Sequence, residues 1–538
     1  MNKSILLLLP FILLSANTSA QSRVFTHQDT LRGSITKERA TWDLKYYHLN
    51  VWVNPLDSTL KGQNTIRYSV TAPMQIMQVD LQEPMLITKV YQDKQQVQFR
   101  RDGNAWFIQL SKVQLQGAVN EIVVHFSGRP VISRNPPWSG GLSWRKDKNG
   151  NPFVVTTCQG DGASIWWPCK DHQADEPDSM LISVTVPDNL IDVSNGRLRS
   201  EVQNADHTKT YNWFVSNPIN NYGVNLNIAD YGHFSEKYQG EKGPLDCDYY
   251  VLKANMEMAK TYFQEVPRML KALEHWFGPY PFYKDSYKLV EVPYPGMEHQ
   301  SSVTYGNGYK FGYGGRDVSK SGWGLKFDFI IIHESAHEWF GNSITSKDIA
   351  DMWIHESFGA YSETLFVDYH YGKQAGNEYC IGTRKNIGNR TPIIGPYNVN
   401  TEGSGDMYSK GANMLHTLRQ IVNNDEKFRG IIRGLSAKFQ NQTVTTEQVE
   451  NYFSEVTGLD LKLFFDQYLR NSKIPEFEYS LDGKTLKYRW KDCIAGFNMP
   501  LKIYVNGAEE WINPDTGWKE MTVAENSKVV CDPNFYIR

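Results

Sequence analysis

The stretch Ile331–Tyr361, IIHESAHEWFGNSITSKDIADMWIHESFGAY, constrains this chain more than any other. It opens on His333-Glu334-Ser335-Ala336-His337. Helical positions four apart lie ~40° apart around the axis and ~6 Å along it, so two imidazoles at that spacing can converge on one point. Zinc, bound by imidazole nitrogen at ~2.0–2.1 Å, fits such a pair. Glu334 sits ~100° further round the helix. That is poor placement for a third ligand and good placement for a carboxylate base acting on water beside the metal. A catalytic zinc wants a third protein ligand and one open position. Eighteen residues separate His337 from Glu356, which lies in Trp353-Ile354-His355-Glu356-Ser357-Phe358-Gly359-Ala360-Tyr361. Gly341-Asn342 reads as a helix stop, Ser343 to Asp351 as a turn, and Asp351 to Tyr371 as a second helix that can bring Glu356 to the metal. Its neighbour His355 is a rival ligand by chemistry. Adjacent helical positions point ~100° apart, so both cannot easily reach one ion.

The chain around this stretch is too long for one core. At 538 residues it should hold two to four domains. Residues 1–20 read as a signal peptide: Lys3 gives the positive end, Ile5 to Leu14 the apolar run, and Thr18-Ser19-Ala20 the small-residue cleavage site before Gln21. Ten apolar residues span ~15 Å as a helix, half of the hydrocarbon core, so no membrane anchor is expected after signal removal. The mature chain is therefore expected to be exported, periplasmic or extracellular. A net charge of −3 gives no case for nucleic acid or an anionic membrane as partner. Six cysteines in an exported chain permit disulfides. Cys493 and Cys531, in one C-terminal module, are the expected pair.

From about Ala40 to Gly232 the pattern is β: Leu44 to Val53 reads as a strand, and Ile122, Val124 and Phe126 alternate with Val123 and His125. An N-terminal antiparallel β domain over residues 21–232 follows. From Tyr250 the period turns helical, with Asn255 to Phe277 as one helix kinked at Pro267. Leu289 to Pro293 reads as a strand that delivers Tyr294-Pro295-Gly296-Met297-Glu298-His299. The glycine- and tyrosine-rich Tyr305 to Gly315 lacks the ending of a phosphate loop and reads as a mobile loop near the cleft. Met407-Tyr408-Ser409-Lys410-Gly411-Ala412 opens a further helix, and Thr445 to Gln448 is a capping box. After Ile474-Pro475 the text is strand-like again, predicting a small C-terminal β-sandwich over residues 473–538.

H-E-x-x-H, eighteen residues, then Glu in a W-I-x-E-x-F frame resembles the aminopeptidase N-type gluzincin metallopeptidases, a family that includes the leukotriene hydrolases. Gly296-Met297-Glu298-His299 resembles the family's G-x-M-E-N exopeptidase motif, with His where Asn is usual. Tyr408 to Ala412 resembles its Y-x-K-G-A segment. Thr156-Thr157-Cys158-Gln159 and Pro168-Cys169-Lys170-Asp171 resemble its T-Q-x-E/Q turn and P-C-x-D segment, with Thr157 where the family's first Gln is usual. Cys158 and Cys169 match cysteines that are thiols in the leukotriene hydrolase branch. The resemblance implies a thermolysin-like α+β catalytic domain over residues 233–472 and one Zn2+ on His333, His337 and Glu356. It also implies Glu334 as general base and Tyr408 as donor to the oxyanion. Glu298 and Gln159, with Gly296 and Met297 beside them, would hold the free amino terminus of a peptide substrate. A zinc endopeptidase, a non-peptide hydrolase of the leukotriene-hydrolase type and a non-catalytic binding protein on the same fold are the alternatives.

Overall fold

A computed structural model describes residues 24–538, so the segment expected to direct export lies outside the described residues. Among those described, no helix is long and apolar enough to cross a membrane. The N-terminal part is built on a long strand, Trp42–Asn54, whose inward side chains alternate as a half-buried strand requires. It pairs antiparallel with Thr59–Val70, and a register shift between Leu44 and Tyr46 moves the buried phase from Trp42 and Leu44 to Tyr47, Leu49 and Val51. Its other neighbour, Ser179–Pro187, runs parallel to it, which makes this eight-stranded sheet mixed. Strand alternation carries no information on direction, so the exception was not legible. A four-stranded sheet packs with it, and in that sheet Pro152–Thr157 runs antiparallel to Gly141–Lys146 and ends at the turn holding Gln159. Together these sheets enclose one apolar core that includes Tyr47, Trp166, Trp167 and Trp213.

Ahead of the long strand lie two short helices, His27–Gly33 and Lys37–Ala40. They are tied down on both sides. Arg32 donates to the Asp161 carbonyl and sits 3.3 Å from Asp171. Arg39, fully buried, pairs with Asp80 at 2.6 Å. Gly33 lies against the backbone of Val399 and Asn400 so closely that any Cβ would overlap it. This segment thus touches both the turn beside Gln159 and a loop of the helical part.

The helical part has its own core. A five-stranded sheet has Gly296–Met297 as its edge strand, paired antiparallel with Val303–Tyr305. The helix expected over Asn255 to Phe277 is instead two, Met256–Tyr262 and Glu265–Phe277. Pro267 therefore falls in the first turn of the second helix, where its missing N–H costs nothing, and not at a kink. Tyr305 to Gly315 is not free: the Tyr305 hydroxyl and Asn307 amide donate to Asp328, and the Tyr309 hydroxyl donates to Glu291. Thr445 and Gln448 do form a capping box, on helix Thr446–Thr457. Residues from Glu476 onward make two three-stranded sheets. Cys493 and Cys531 are free thiols there, so the expected disulfide is not formed; Cys158 and Cys169 are also free, and buried.

Candidate active site

The histidine helix, Phe329–Ala336, is capped by Asp328, whose carboxylate accepts from the N–H groups of Ile330 and Ile331 at 3.0 and 3.2 Å. Ile330, Ile331 and Ile332 are all buried. Burying each contributes ~1.5–3 kcal/mol, enough to hold so short a helix deep in the protein. The helix ends earlier than Gly341-Asn342 suggests, since His337 is its C-cap residue and turns follow. The second helix, Trp353–Tyr371, lies alongside and carries Glu356 in its first turn. A third, Ser409–Val422, starts after Tyr408 and crosses the second so tightly that a Cβ on Gly411 would overlap Ser357.

These helices bring His333, His337 and Glu356 together. Their facing atoms form a near-equilateral triangle: Nε2 to Nε2 is 3.4 Å, and Glu356 Oε2 lies 3.6 Å from His333 and 3.5 Å from His337. Such a triangle has a circumradius of about 2.0 Å, the bond length zinc makes with N and O ligands. Glu356 Oε2 is also buried with no hydrogen-bond partner, an arrangement that a cation at the centre would satisfy. The far ring nitrogens are anchored. His333 Nδ1–H donates to Glu363 Oε1 and His337 Nδ1–H to the Phe340 carbonyl, each at 2.9 Å, which leaves both Nε2 lone pairs facing inward. The residues present therefore fit one zinc ion. His355 faces elsewhere: its Nε2 accepts from the Ser346 N–H at 2.8 Å.

The triangle opens into a cavity of about 630 Å³ between the two parts of the chain. Glu298, Gln159, Gly296, Glu334 and Tyr408 line it, and Met297 is buried behind Gly296. Gly296 is required by close approach, since a Cβ there would come 2.6 Å from Ile330 Cγ2 and 3.0 Å from Glu334 Cγ. Gln159 crosses from the N-terminal part and donates to Glu298 Oε1 at 2.6 Å and to Glu356 Oε1 at 2.8 Å. With its amide nitrogen so engaged, its carbonyl oxygen remains to accept from a ligand. The Tyr408 ring stacks on His333 with centroids 6.0 Å apart and is more than a third open to the cavity.

Among the described residues, five acidic ones line this cavity, Asp161, Glu298, Glu334, Glu356 and Glu402, and no lysine or arginine does. The electrostatics follow. Burial pushes the Glu334 carboxyl up to about 7, and it raises Glu298 as well. Burial would also raise Glu356, but the neighbouring imidazoles hold it well below the usual carboxylate range. His337 rises to about 9 against burial because Glu356 lies beside it. Burial and the surrounding carboxylates keep the Tyr408 phenol protonated far beyond its ordinary range. A chamber of this kind calls for cationic ligands. Two contributors escape a motif reading: Glu363 behind His333, and Glu402 at the rim. Glu363 alone left a signal, being seven residues after Glu356 and so on the same helix face.

Two family domains match the chain. The Peptidase M1 N-terminal domain covers residues 44–222, and the Peptidase family M1 domain covers residues 262–468. Among curated proteins, leukotriene A-4 hydrolase of Xenopus laevis is 24% identical over 82% of this chain and 73% of its own length. Endoplasmic reticulum aminopeptidase 1 of Mus musculus is 23% identical over 68% of this chain, which spans only 41% of that protein's length. An M1 zinc metallopeptidase from Deinococcus radiodurans superposes with a TM-score of 0.69 at 20% identity, covering 81% of this chain and 95% of that one. A mutant of that protein has been solved with a Tyr-Ser-Ala substrate bound.

Proposed function

The chain belongs to peptidase family M1, the zinc metallopeptidases, and from that premise we propose that it is an exported aminopeptidase, removing the N-terminal residue of peptides. Zinc, when bound by His333, His337 and Glu356, polarises the scissile carbonyl and acidifies water. Glu334, buried with its carboxyl at about 7, takes the proton of the attacking water and passes it to the leaving amine. The Tyr408 phenol, protonated at neutral pH, donates to the oxyanion as it develops. Glu298 and the Gln159 carbonyl receive the substrate's α-ammonium. Export rests on the Lys3 to Ala20 pattern, and the division at residues 232/233 and 472/473 on the change of sequence period.

One observation carries the exopeptidase reading. Through Gln159, a carboxylate meant for an ammonium is tied to the carboxylate meant for the metal. A substrate whose amino group pairs with Glu298 would bring its first peptide bond towards the metal ligands, and a residue ahead of that amino group would have to break the pairing. Removing one partner of a desolvated charge pair costs ~2–5 kcal/mol, or roughly 30- to 5,000-fold in kcat/KM. Glu298→Ala should lose that much on free-amino peptides with zinc content intact, and N-acetylated peptides should be poor substrates for the unmodified enzyme. Acetylated peptides cut as fast as free ones would replace this reading with an endopeptidase on the same scaffold.

A further inference from the structure

The segment that follows the metal helix also fixes the loop that carries Glu298. Asn342, fully buried, uses both ends of its side-chain amide. Its Nδ2 lies 2.8 Å from the Glu298 carbonyl oxygen and 2.9 Å from Glu338 Oε1. A peptide carbonyl can only accept, so the nitrogen must be the group that faces it. The Asn342 Oδ1 accepts from Asn220 Nδ2 at 3.2 Å, and Asn220 is set in turn because its own Oδ1 accepts from the Gly223 N–H at 2.6 Å. Further along the Glu298 loop, the Ser301 N–H donates to both oxygens of Glu338, at 3.0 and 3.1 Å. The Tyr280 hydroxyl donates to Glu338 Oε2 at 2.5 Å. Ser301 has φ of +51°, a left-handed conformation that a residue other than glycine keeps only when its neighbours hold it there. Glu338 directly follows His337, and the Asn342 N–H donates to the His337 carbonyl at 2.9 Å. The loop is thus pinned at the Glu298 carbonyl and at the Ser301 N–H by two side chains rooted beside a metal ligand.

We propose that Asn342, braced by Glu338, is a positioning residue that sets the spacing between the Glu298 carboxylate and the metal, and so matches the enzyme to an α-amine. This rests on the reading of Glu298 as the ammonium site. Neither Asn342 nor Glu338 lines the cavity, so each acts through Glu298 and not on the substrate itself. Gln159 links the Glu298 and Glu356 carboxylates through their side chains; Asn342 fixes the backbone from which Glu298 springs. An α-amine and a β-amine differ by one carbon–carbon bond, about 1.5 Å. A drift of the loop by a fraction of that length spoils the match.

The test compares three inhibitors of the zinc enzyme: leucine hydroxamate, β-homoleucine hydroxamate, which is one methylene longer between amine and hydroxamate, and the leucine compound without its amino group. Asn342→Ala should weaken leucine hydroxamate at least about tenfold, as when a charge-assisted hydrogen bond loses its aim. It should leave the des-amino compound unchanged and narrow the advantage of the α- over the β-amine. Glu338→Gln can keep its oxygen on Asn342 and Ser301 while its NH2 gives to the Tyr280 hydroxyl, which then donates to the Ser286 carbonyl, 3.1 Å away. That variant should keep the original pattern, whereas Glu338→Ala should repeat the pattern of Asn342→Ala at full zinc content. In a Glu298→Ala background, Asn342→Ala should have no further effect on the preference for the amine. An unchanged α-amine advantage in Asn342→Ala, equal weakening of all three hydroxamates, or the same result from both Glu338 variants overturns the proposal. Should Asn342→Ala fail to fold, the two Glu338 variants decide it. If Glu298→Ala itself leaves the preference for the amine intact, the ammonium site has been misread, and that result is separate from any outcome for Asn342.

Discussion

Glu363 holds the metal site from behind, and replacing it separates charge from geometry. Its carboxylate is 3% exposed and accepts two hydrogen bonds, from His333 Nδ1–H at 2.9 Å and from the Tyr379 hydroxyl at 2.5 Å. In Glu363→Gln one oxygen becomes an NH2 donor. The Tyr379 hydroxyl can rotate to accept from it, and imidazole N–H cannot, so the amide should keep its oxygen on His333. The ring then stays in place and only the negative charge is lost. Losing such a carboxylate behind a metal-bound histidine typically costs 10–100-fold in affinity, or about 1.4–2.8 kcal/mol. Glu363→Ala should behave differently. It strands two buried donors, each at ~1–3 kcal/mol, so the zinc-free protein should lose about 2–6 kcal/mol of stability as well. Zinc affinity measured by competition with a chromophoric chelator, alongside unfolding of the zinc-free forms, distinguishes the two. Zinc held within twofold of the original in Glu363→Gln, or apo stability lost equally by Gln and Ala, would refute the reasoning.

Three further outcomes are expected. Metal analysis should find zinc lost from Glu356→Ala and largely retained in His355→Asn; the reverse would reassign the third ligand. Tyr408→Phe should lower kcat by ~10²–10³ with KM little changed, and an unchanged kcat rules out its role. Gly296→Ala must move either Ile330 or Glu334, given the 2.6 and 3.0 Å approaches. Displacing a base by under an ångström can cost up to ~10² in rate, so kcat in Gly296→Ala should fall at least about tenfold while zinc content holds, and a kcat within twofold of the original would contradict it.

The sequence was most legible where chemistry fixes spacing. The four-residue step from His333 to His337 and the placing of Glu356 on a following helix are helical geometry, and the structure brings all three together. The capping box at Thr445 was legible because both its partners are local. Contacts that close over long separations were not. The double reach of Gln159 to Glu298 and Glu356 depends on how two sheets and a helix meet, and nothing near residue 159 records it. Tyr222 reads as one more core aromatic until the fold sets it against His355. Pro267 misled in the other direction, since a proline in the first turn and a proline at a kink leave the same mark on a hydrophobic pattern. The Cys493–Cys531 pairing rested on nearness in sequence, which fixes no distance in space.

The two short helices before the first strand also set an order in time. Gly33 packs on Val399 and Asn400, Arg32 holds the Asp161 carbonyl, and Asn400 in turn donates to the Gly160 carbonyl at 2.9 Å. Residues 27–40 dock on backbone at Val399 and Asn400, so part of their docking surface lies far along the chain from them. Their docking needs both the sheets that follow them and the loop at residues 399–400 to be in place. The rim of the cleft is thus closed by contacts of long sequence separation, and because so long a loop must close before they form, cleft closure belongs to the late, slow part of folding.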